Sequence, residues 1–378
     1  MNETKVSRFV ELFENLPDQR QEWKVKHKLV DILFIAVVCT IADCDDWEEM
    51  EWIAKEKETW LRKYIELPNG IPSHDTIERV FAWIDPDIFK HVFQNWLAIA
   101  MGVAVPGVVA IDGKTMRGTK DILKAGAHVV NAWFSENGLV LGQVFTKEKS
   151  NEITAIPELL DILDIAGQIV TIDAAGTQRN IAEKIISKKG DYVLAVKGNQ
   201  GNLMEEIQLF FKNEAFSGER SDFNIATVCY REKGHGRIEK RTYYVTDEID
   251  WMQEKDKWTG LKSIGAVKRE ATDIATGTVT EEYRYYISSL ESEVSRFAYA
   301  VRQHWGVESM HWSLDMTFNE DGRRSRKDNS AKNLAALLRF AYDIIKKAGK
   351  PDKIPMKRLR KKALMYDTYM EQLISSVF

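Results

Sequence analysis

Two short apolar runs in this sequence each lead into an aspartate. Val108-Val109-Ala110-Ile111 precedes Asp112, and Ile169-Val170-Thr171-Ile172 precedes Asp173. Gly113 follows the first acid, and Ala174, Ala175 and Gly176 follow the second. Such runs read as buried strands, and an acid at the end of a buried strand is costly to leave unpaired. Strand ends of open α/β sheets are also where ligand crevices form. Two neighbouring carboxylates repel each other. A divalent cation between them removes that cost and supplies a Lewis acid, and Mg²⁺ suits carboxylate and water ligands. Each aspartate could instead simply cap the turn that follows it.

A third acid is offered by the segment Phe297 to Asp321. His304, Glu308, His311 and Asp315 step by four, three and four, so they share one helix face. Ala298, Val301, Trp305, Trp312 and Met316 form a neighbouring apolar stripe that can bury. The polar face could equally be solvated. A transition-metal site built from His304, Glu308 and His311 alone lacks a recognised spacing such as HExxH. Metal ions held by three carboxylates can clamp the attacking and leaving oxygens of an in-line phosphoryl displacement.

The elements that must position these groups follow from the pattern. Residues 5 to about 100 read as helical, with Trp47, Trp52, Trp60, Trp83 and Trp96 supplying bulk. Leu29 to Ala42 is the most apolar run. It carries Asp31 and is shorter than the ~20 residues of a bilayer span, so it reads as a buried helix. Ile71 to Asp85 has the shape of a helix capped by Ser73. Ala127 to Thr146 is two apolar runs around Glu136-Asn137-Gly138, a hairpin signal. Glu152 to Leu163 and Gln178 to Gly190 read as helices, and Asp191 to Gln200 as a third strand. This order predicts an α/β layer with a mixed sheet. Residues 223 to 290 alternate like antiparallel strands and read as a β-rich insertion, after which the chain is helical again.

Charge narrows the partner. The 378 residues carry 53 Lys and Arg against 57 Asp and Glu, a net charge of −4, which excludes a wholesale basic coat. From Asp43 to Glu58 there are eight acids and two lysines. From Asp321 to Lys362 there are fifteen basic residues and four acids, near +11. That local field complements a polyanion. Hydrophobic residues make up 44 % and charged residues 29 %, which suits a sizeable core. Cys39, Cys44 and Cys229 form no CxxC pair, so a reducing, cytoplasmic setting is expected. Met1 to Glu22 is polar and mixed in charge, so no secretory signal is expected, and the shortness of the Leu29–Ala42 run leaves no membrane partner expected.

These residues together resemble the H-repeat-associated, ISAs-type branch of the DDE transposases. The pieces that match are LPDQRQEWKVKHKLVDIL, WEEMEWIAK, NGIPSHDTIERVF, VVAIDGKTMRG, KSNEITAIPELLDIL, TIDAAGTQRNIAEKI, DYVLAVKGNQ, GHGRIEKR, YYISSL and RQHWGVESMHWSLDMTFNED. They run in family order over nearly the whole chain. The resemblance implies a ribonuclease-H-like mixed-sheet core in residues 101–222 and 291–350, with the β-rich insertion at 223–290. A helical N-terminal domain at 1–100, a candidate DNA-binding module, and a basic helical tail at 351–378 would flank it. It implies Asp112, Asp173 and Glu308 as catalytic, metal-binding acids for two Mg²⁺ ions, with Mn²⁺ able to substitute. Glu308 lies 308 − 173 = 135 residues after Asp173, which leaves room for the insertion. The implied activity is cleavage at insertion-sequence ends and strand transfer to target DNA, by a homodimer on double-stranded DNA at the nucleoid. A DNA-binding remnant and a nuclease without strand transfer are the rivals.

The wider clan carries Tyr, Arg and Lys around its third acid, and those places hold Val301, His304 and Asp315 here. The Arg-like role could pass to His304, while Arg302 faces elsewhere on the helix. Asp315 cannot replace a phosphate-binding lysine. Candidate DNA contacts are Lys114 and Arg117 after the first acid, and Lys197 and Asn199 at the end of the third strand. His235 and Arg237 at a basic hairpin tip, and Arg323, Arg324, Arg326 and Lys327 after the third acid, complete the set. Lys357, Arg358, Arg360, Lys361 and Lys362 could touch phosphate or stay solvated.

Overall fold

The computed structural model of the chain describes residues 2–377 apart from 15, 19, 22, 24, 103–104, 121–125, 147–151, 218–220, 235 and 350–353. The N-terminal hundred residues form α1 (Asn2–Glu14), α2 (Leu29–Ile41), α3 (Trp47–Glu56), α4 (Glu58–Leu61), α5 (His74–Trp83) and α6 (Pro86–Met101). Every α2 residue except Val30 is buried, as a helix apolar on all sides requires. Among the described residues no helix is long and apolar enough to cross a membrane. Asp46 caps α3 through the Glu49 N–H, and Asp85 caps α6 beside Pro86. Ser73 does stand at the start of α5, but its hydroxyl meets Thr76 Oγ1 at 3.1 Å and caps no backbone N–H. Trp60 and Trp96 are core residues, whereas Trp52 and Trp83 face outward.

The mixed α/β character is borne out. The chain continues through β1 (Val108–Thr115), β2 (His128–Phe134), β3 (Leu139–Thr146), α7 (Glu152–Ile162), β4 (Ile169–Ile172), α8 (Arg179–Ser187), β5 (Asp191–Val196) and α9 (Gly201–Glu214). The hairpin joins β2 to β3, with Gly138 at φ 71° in its turn. Next come β6 (Ala226–Gly234), β7 (Arg237–Thr246), β8 (Ser263–Asp273) and β9 (Val279–Ser288), then α10 (Val294–Met316), α11 (Ser330–Ala348), α12 (Met356–Met365) and α13 (Asp367–Ile374). The described strands form one nine-stranded sheet in the order β3-β2-β1-β4-β5-β9-β8-β7-β6. β1, β4 and β5 run parallel, and every other neighbouring pair is antiparallel. The alternating stretch after residue 223 therefore makes no separate layer. β9 pairs with both β5 and β8, so these strands lengthen the sheet that carries Asp112.

The N-terminal helices and the sheet share one hydrophobic core, and α11 joins them. Phe340 on α11 stacks on Phe9 at 5.7 Å and meets Phe93 and Trp96 edge-on at 5.8 and 5.2 Å. The basic C-terminal stretch is held against α2 by a cation expected to be outside. Arg360 is fully buried: it donates to Thr40 O at 2.9 Å and to Thr317 O, pairs with Asp43 at 2.7 Å, and lies 4.3 Å over the Phe318 ring. Arg360→Ala strands those two carbonyls, and we expect it to destabilise the fold by about 3 kcal/mol. Urea unfolding would report the loss, and amide exchange would speed up first in α12 and α13.

Candidate active site

The register of two parallel strands brings the aspartates together. Ile111 on β1 pairs with Ile172 on β4, so Asp112 and Asp173, each one residue further on, are neighbours at the place where β4 stops. Adjacent strands lie about 4.8 Å apart. β1 does not end at Asp112 as expected. It runs on to Thr115, hydrogen-bonded to β2 alone. Asp173 also caps the following turn: its Oδ1 accepts from Ala175 N at 3.1 Å and Gly176 N at 3.2 Å. The capping reading and the site reading therefore both hold for this residue.

α10 lies across these strand ends, and Gly306 permits its close approach, since a Cβ there would collide with the Trp133 ring of β2. The polar face of α10 is directed at the sheet. His304 Nδ1 lies 3.0 Å from Thr171 Oγ1, His311 Nδ1 lies 3.5 Å from Asp112 Oδ2, and Asp315 pairs with Lys114. Glu308 and His304 line a cleft of about 300 Å³ together with Asp112, Asp173 and Arg284. Trp312 and Met316, expected to bury, are 63 % and 61 % exposed. The face carrying Phe297, Val301, Val307 and Leu314 takes the core position, which turns Trp312 and Met316 to solvent. Among the described residues, no three His, Cys, Asp or Glu side chains are gathered as they stand into a group that could hold an ion.

The electrostatics of the cleft separate its acids. Burial alone would raise Asp112, but the His311 hydrogen bond and the nearby His311 and His304 rings hold its carboxyl below the usual range. Glu308 is pushed up by burial and then by the charge of Asp112. Burial pushes His304 down despite Asp112 and Asp173, which works against its carrying an arginine-like charge.

A buried chain of polar groups stands behind Asp112. Arg339 Nε donates to Asn131 Oδ1 at 2.6 Å, which turns the Asn131 amide nitrogen toward His311 Nε2 at 3.0 Å. With Nε2 accepting, the ring proton sits on Nδ1 and faces Asp112. Arg339 Nη1 also donates to Glu320 at 2.6 Å, and the other Glu320 oxygen meets Lys114. Glu320 is completely buried between those cations, which hold its carboxyl at about 2 against the cost of burial. Sequence reasoning missed Asn131, Glu320, Arg339 and Arg284. For Arg284 a signal existed: in the alternating stretch Glu282-Tyr283-Arg284 it is the cation nearest the return to the core.

Two expected phosphate contacts point inward. Lys114 is buried against Asp315 and Glu320. Arg323 is buried and donates to Cys44 O at 2.6 Å and Phe318 O at 3.0 Å. Asn199 donates to Ala174 O at 2.6 Å and braces the turn after Asp173. Arg302 does face elsewhere, toward Glu232 at 3.2 Å. Arg117, Lys197, Arg237, Arg324, Arg326 and Lys327 are exposed, and Lys197 stands at the cleft. His235 lies outside the described residues.

Comparison with known proteins shows the family. Residues 104–344 match the family model described as "Transposase DDE domain", and residues 10–97 match the one described as "DDE_Tnp_1-associated". The chain therefore belongs to the DDE transposase family. Within it, relatives include proteins described as H repeat-associated. "H repeat-associated putative transposase YhhI" of Escherichia coli strain K12 is 38 % identical over 98 % of both chains. "Putative transposase YncI" of Escherichia coli O157:H7 is 41 % identical over 96 % of this chain and 93 % of its own. Among solved structures, a chain of the piggyBac transposase synaptic complex with hairpin DNA covers 99 % of this chain and 78 % of its own, at 13 % identity and TM-score 0.46.

Proposed function

We propose that this chain cuts DNA strands at the ends of an insertion sequence and joins the freed 3′ hydroxyls to target DNA. The observation that carries the reading is the Ile111–Ile172 register, which sets Asp112 beside Asp173 under the α10 face that bears Glu308. The order β3-β2-β1-β4-β5 with a helix across its strand ends supports a ribonuclease-H-like core.

The residues suit divalent cations. Two carboxylates on adjoining strands, and a third whose proton affinity is raised by burial and then by the charge of Asp112, form an anionic set that Mg²⁺ or Mn²⁺ would relieve. Asp112, Asp173 and Glu308 would hold two ions, which supply Lewis acidity to the phosphoryl displacement. His311 keeps Asp112 ionised and fixes its orientation. Arg284, 4.5 Å over the Trp305 ring, places a cation beside the acids where phosphate charge would enter. Arg117, Lys197, Arg237, Arg324 and Arg326 would contact the DNA backbone. Water and then the DNA 3′ hydroxyl act as nucleophiles, so no covalent enzyme–DNA intermediate forms. Holding two ends at once calls for two copies of the chain, working on chromosomal DNA at the nucleoid.

End-labelled duplexes carrying the DNA that flanks the gene test the reading. With Mg²⁺, cleavage followed by labelled joint products is expected. Cleavage without joining identifies a nuclease, and binding without cleavage a remnant. His311→Ala tests the support of Asp112: it is expected to weaken Mn²⁺ binding about 10–100-fold by calorimetry, while DNA binding in chelator is unchanged.

A further inference from the structure

A second charged concavity lies outside the carboxylate cleft. It is an open groove of about 1110 Å³ between α5, the segment before α2, and the loop that follows α10. Arg20, Lys26, Arg79 and Lys327 line it against a single carboxylate, Asp328. Arg20 is already paired with Asp18 at 2.6 Å. Lys26, Arg79 and Lys327 have no ion pair among the described residues. In a chain with a net charge of −4, three cations without an ion pair, facing one carboxylate, leave the groove with a positive field. Trp83, 41 % exposed, adds an aromatic face, and the Ser73 and Thr76 hydroxyls add short donors.

The groove is built on fixed elements. Asn329 N donates to Ala82 O at 3.0 Å, and the Asn333 amide donates to Phe81 O at 2.7 Å and Ile84 O at 2.9 Å. Those bonds tie the loop that bears Lys327 to the end of the helix that bears Arg79. The buried Arg323 anchors the same loop at its other end. Between the anchors, Arg324 and Arg326 are exposed, and Arg326 reaches Gly118 O at 3.4 Å, next to the exposed Arg117. A line of cations thus runs from the segment after Asp112, along residues 324–327, into the groove. A small anion has no use for such a line. A polyanion with evenly spaced charges and a stiff axis does, and duplex DNA carries one charge per about 1.7 Å.

We infer that this groove holds the backbone of duplex DNA at a distance from the strand being cut, so that the end is gripped at two places by one chain. The inference rests on the proposed action on DNA but not on catalysis. Full-length protein in chelator, where no cleavage occurs, would be titrated with a fluorescent 40-base-pair duplex of the gene's flanking DNA. Lys26→Ala/Arg79→Ala/Lys327→Ala is expected to bind on the order of 10²-fold more weakly at 0.1 M salt. Its slope of log affinity against log salt should be shallower by about 2.7. Lys26→Arg/Arg79→Lys/Lys327→Arg is expected to restore both. An unchanged slope in the alanine variant, with an unchanged melting curve, overturns the inference, as does a changed self-association with DNA affinity intact. Metal-dependent cleavage failing in a wild-type chain that still shows the groove's salt slope would count against the proposed function alone.

Discussion

Asp112→Asn is expected to abolish Mg²⁺-dependent strand cleavage while DNA affinity in chelator stays within twofold. Asp173→Asn and Glu308→Gln are expected to do the same. Asn and Gln keep the shape and one acceptor oxygen of each acid and remove the negative charge. Loss of that charge would weaken the hold on the divalent cations, whose Lewis acidity would supply several kcal/mol of support for developing phosphoryl charge, a fall of about 10³-fold or more. Of the three acids, Glu308 has its proton affinity raised by burial and by the charge of Asp112. Asp112→Asn should therefore lower the apparent pKa of Glu308, a shift that carbon-detected NMR of the labelled carboxyl can follow. Wild-type cleavage by any one of the three variants would remove that residue from the mechanism.

Glu320→Gln is expected to be the most damaging single substitution away from the cleft. The carboxylate is buried between Lys114 and Arg339, and neutralising it leaves two buried cations short of a counter-charge, at a cost of about 3–5 kcal/mol. Its folded-state carboxyl titrates near 2 against an ordinary 4.5. A depressed acid contributes stability that is present above the unfolded value and is lost as pH falls toward the folded one. Wild-type stability should therefore decline between about pH 4.5 and 2 through this group, and the variant should lose that component. Urea midpoints measured across that window decide it: parallel curves for the two proteins would show that Glu320 is not the titrating group. The same chain of contacts reaches His311 through Asn131, so Glu320→Gln should also lower cleavage in the folded fraction.

The parts of this architecture that sequence made legible are those written in short periods. Ile111-Asp112 and Ile172-Asp173 announce two strands and their acids because four apolar residues in a row have few other uses. The steps among His304, Glu308, His311 and Asp315 put four polar groups on one face, and all four do meet the sheet or its cleft. What was not legible depends on distance along the chain. β9 belongs beside β5, some ninety residues earlier, and alternation alone does not say which edge a strand joins. The inward cations were misread for a local reason. Lys114 is two residues after Asp112, so once β1 is known to continue, the two share a face and Lys114 must point toward α10. Arg323, Arg324 and Arg326 look alike in a row of basic residues. Only the carbonyls of Cys44 and Phe318 single out the first as internal.

The unbroken ladder from β5 to β6 fixes how this protein can vary in size. Arg284 reaches the acids from β9, the innermost of the four added strands, while Arg237 sits at the far margin beside the β6–β7 turn. Trimming or extending the outer end of the β6–β7 hairpin changes exposed surface, whereas Tyr243 and Val245 further along β7 pack with Phe297 and Val301 of α10. Removing β9 would strip β5 of one of its two partners and take the cleft's arginine with it. Length changes are therefore expected to be tolerated at the exposed outer end of the hairpin, and least of all in β9, which looks, by chain order, like the insertion's exit.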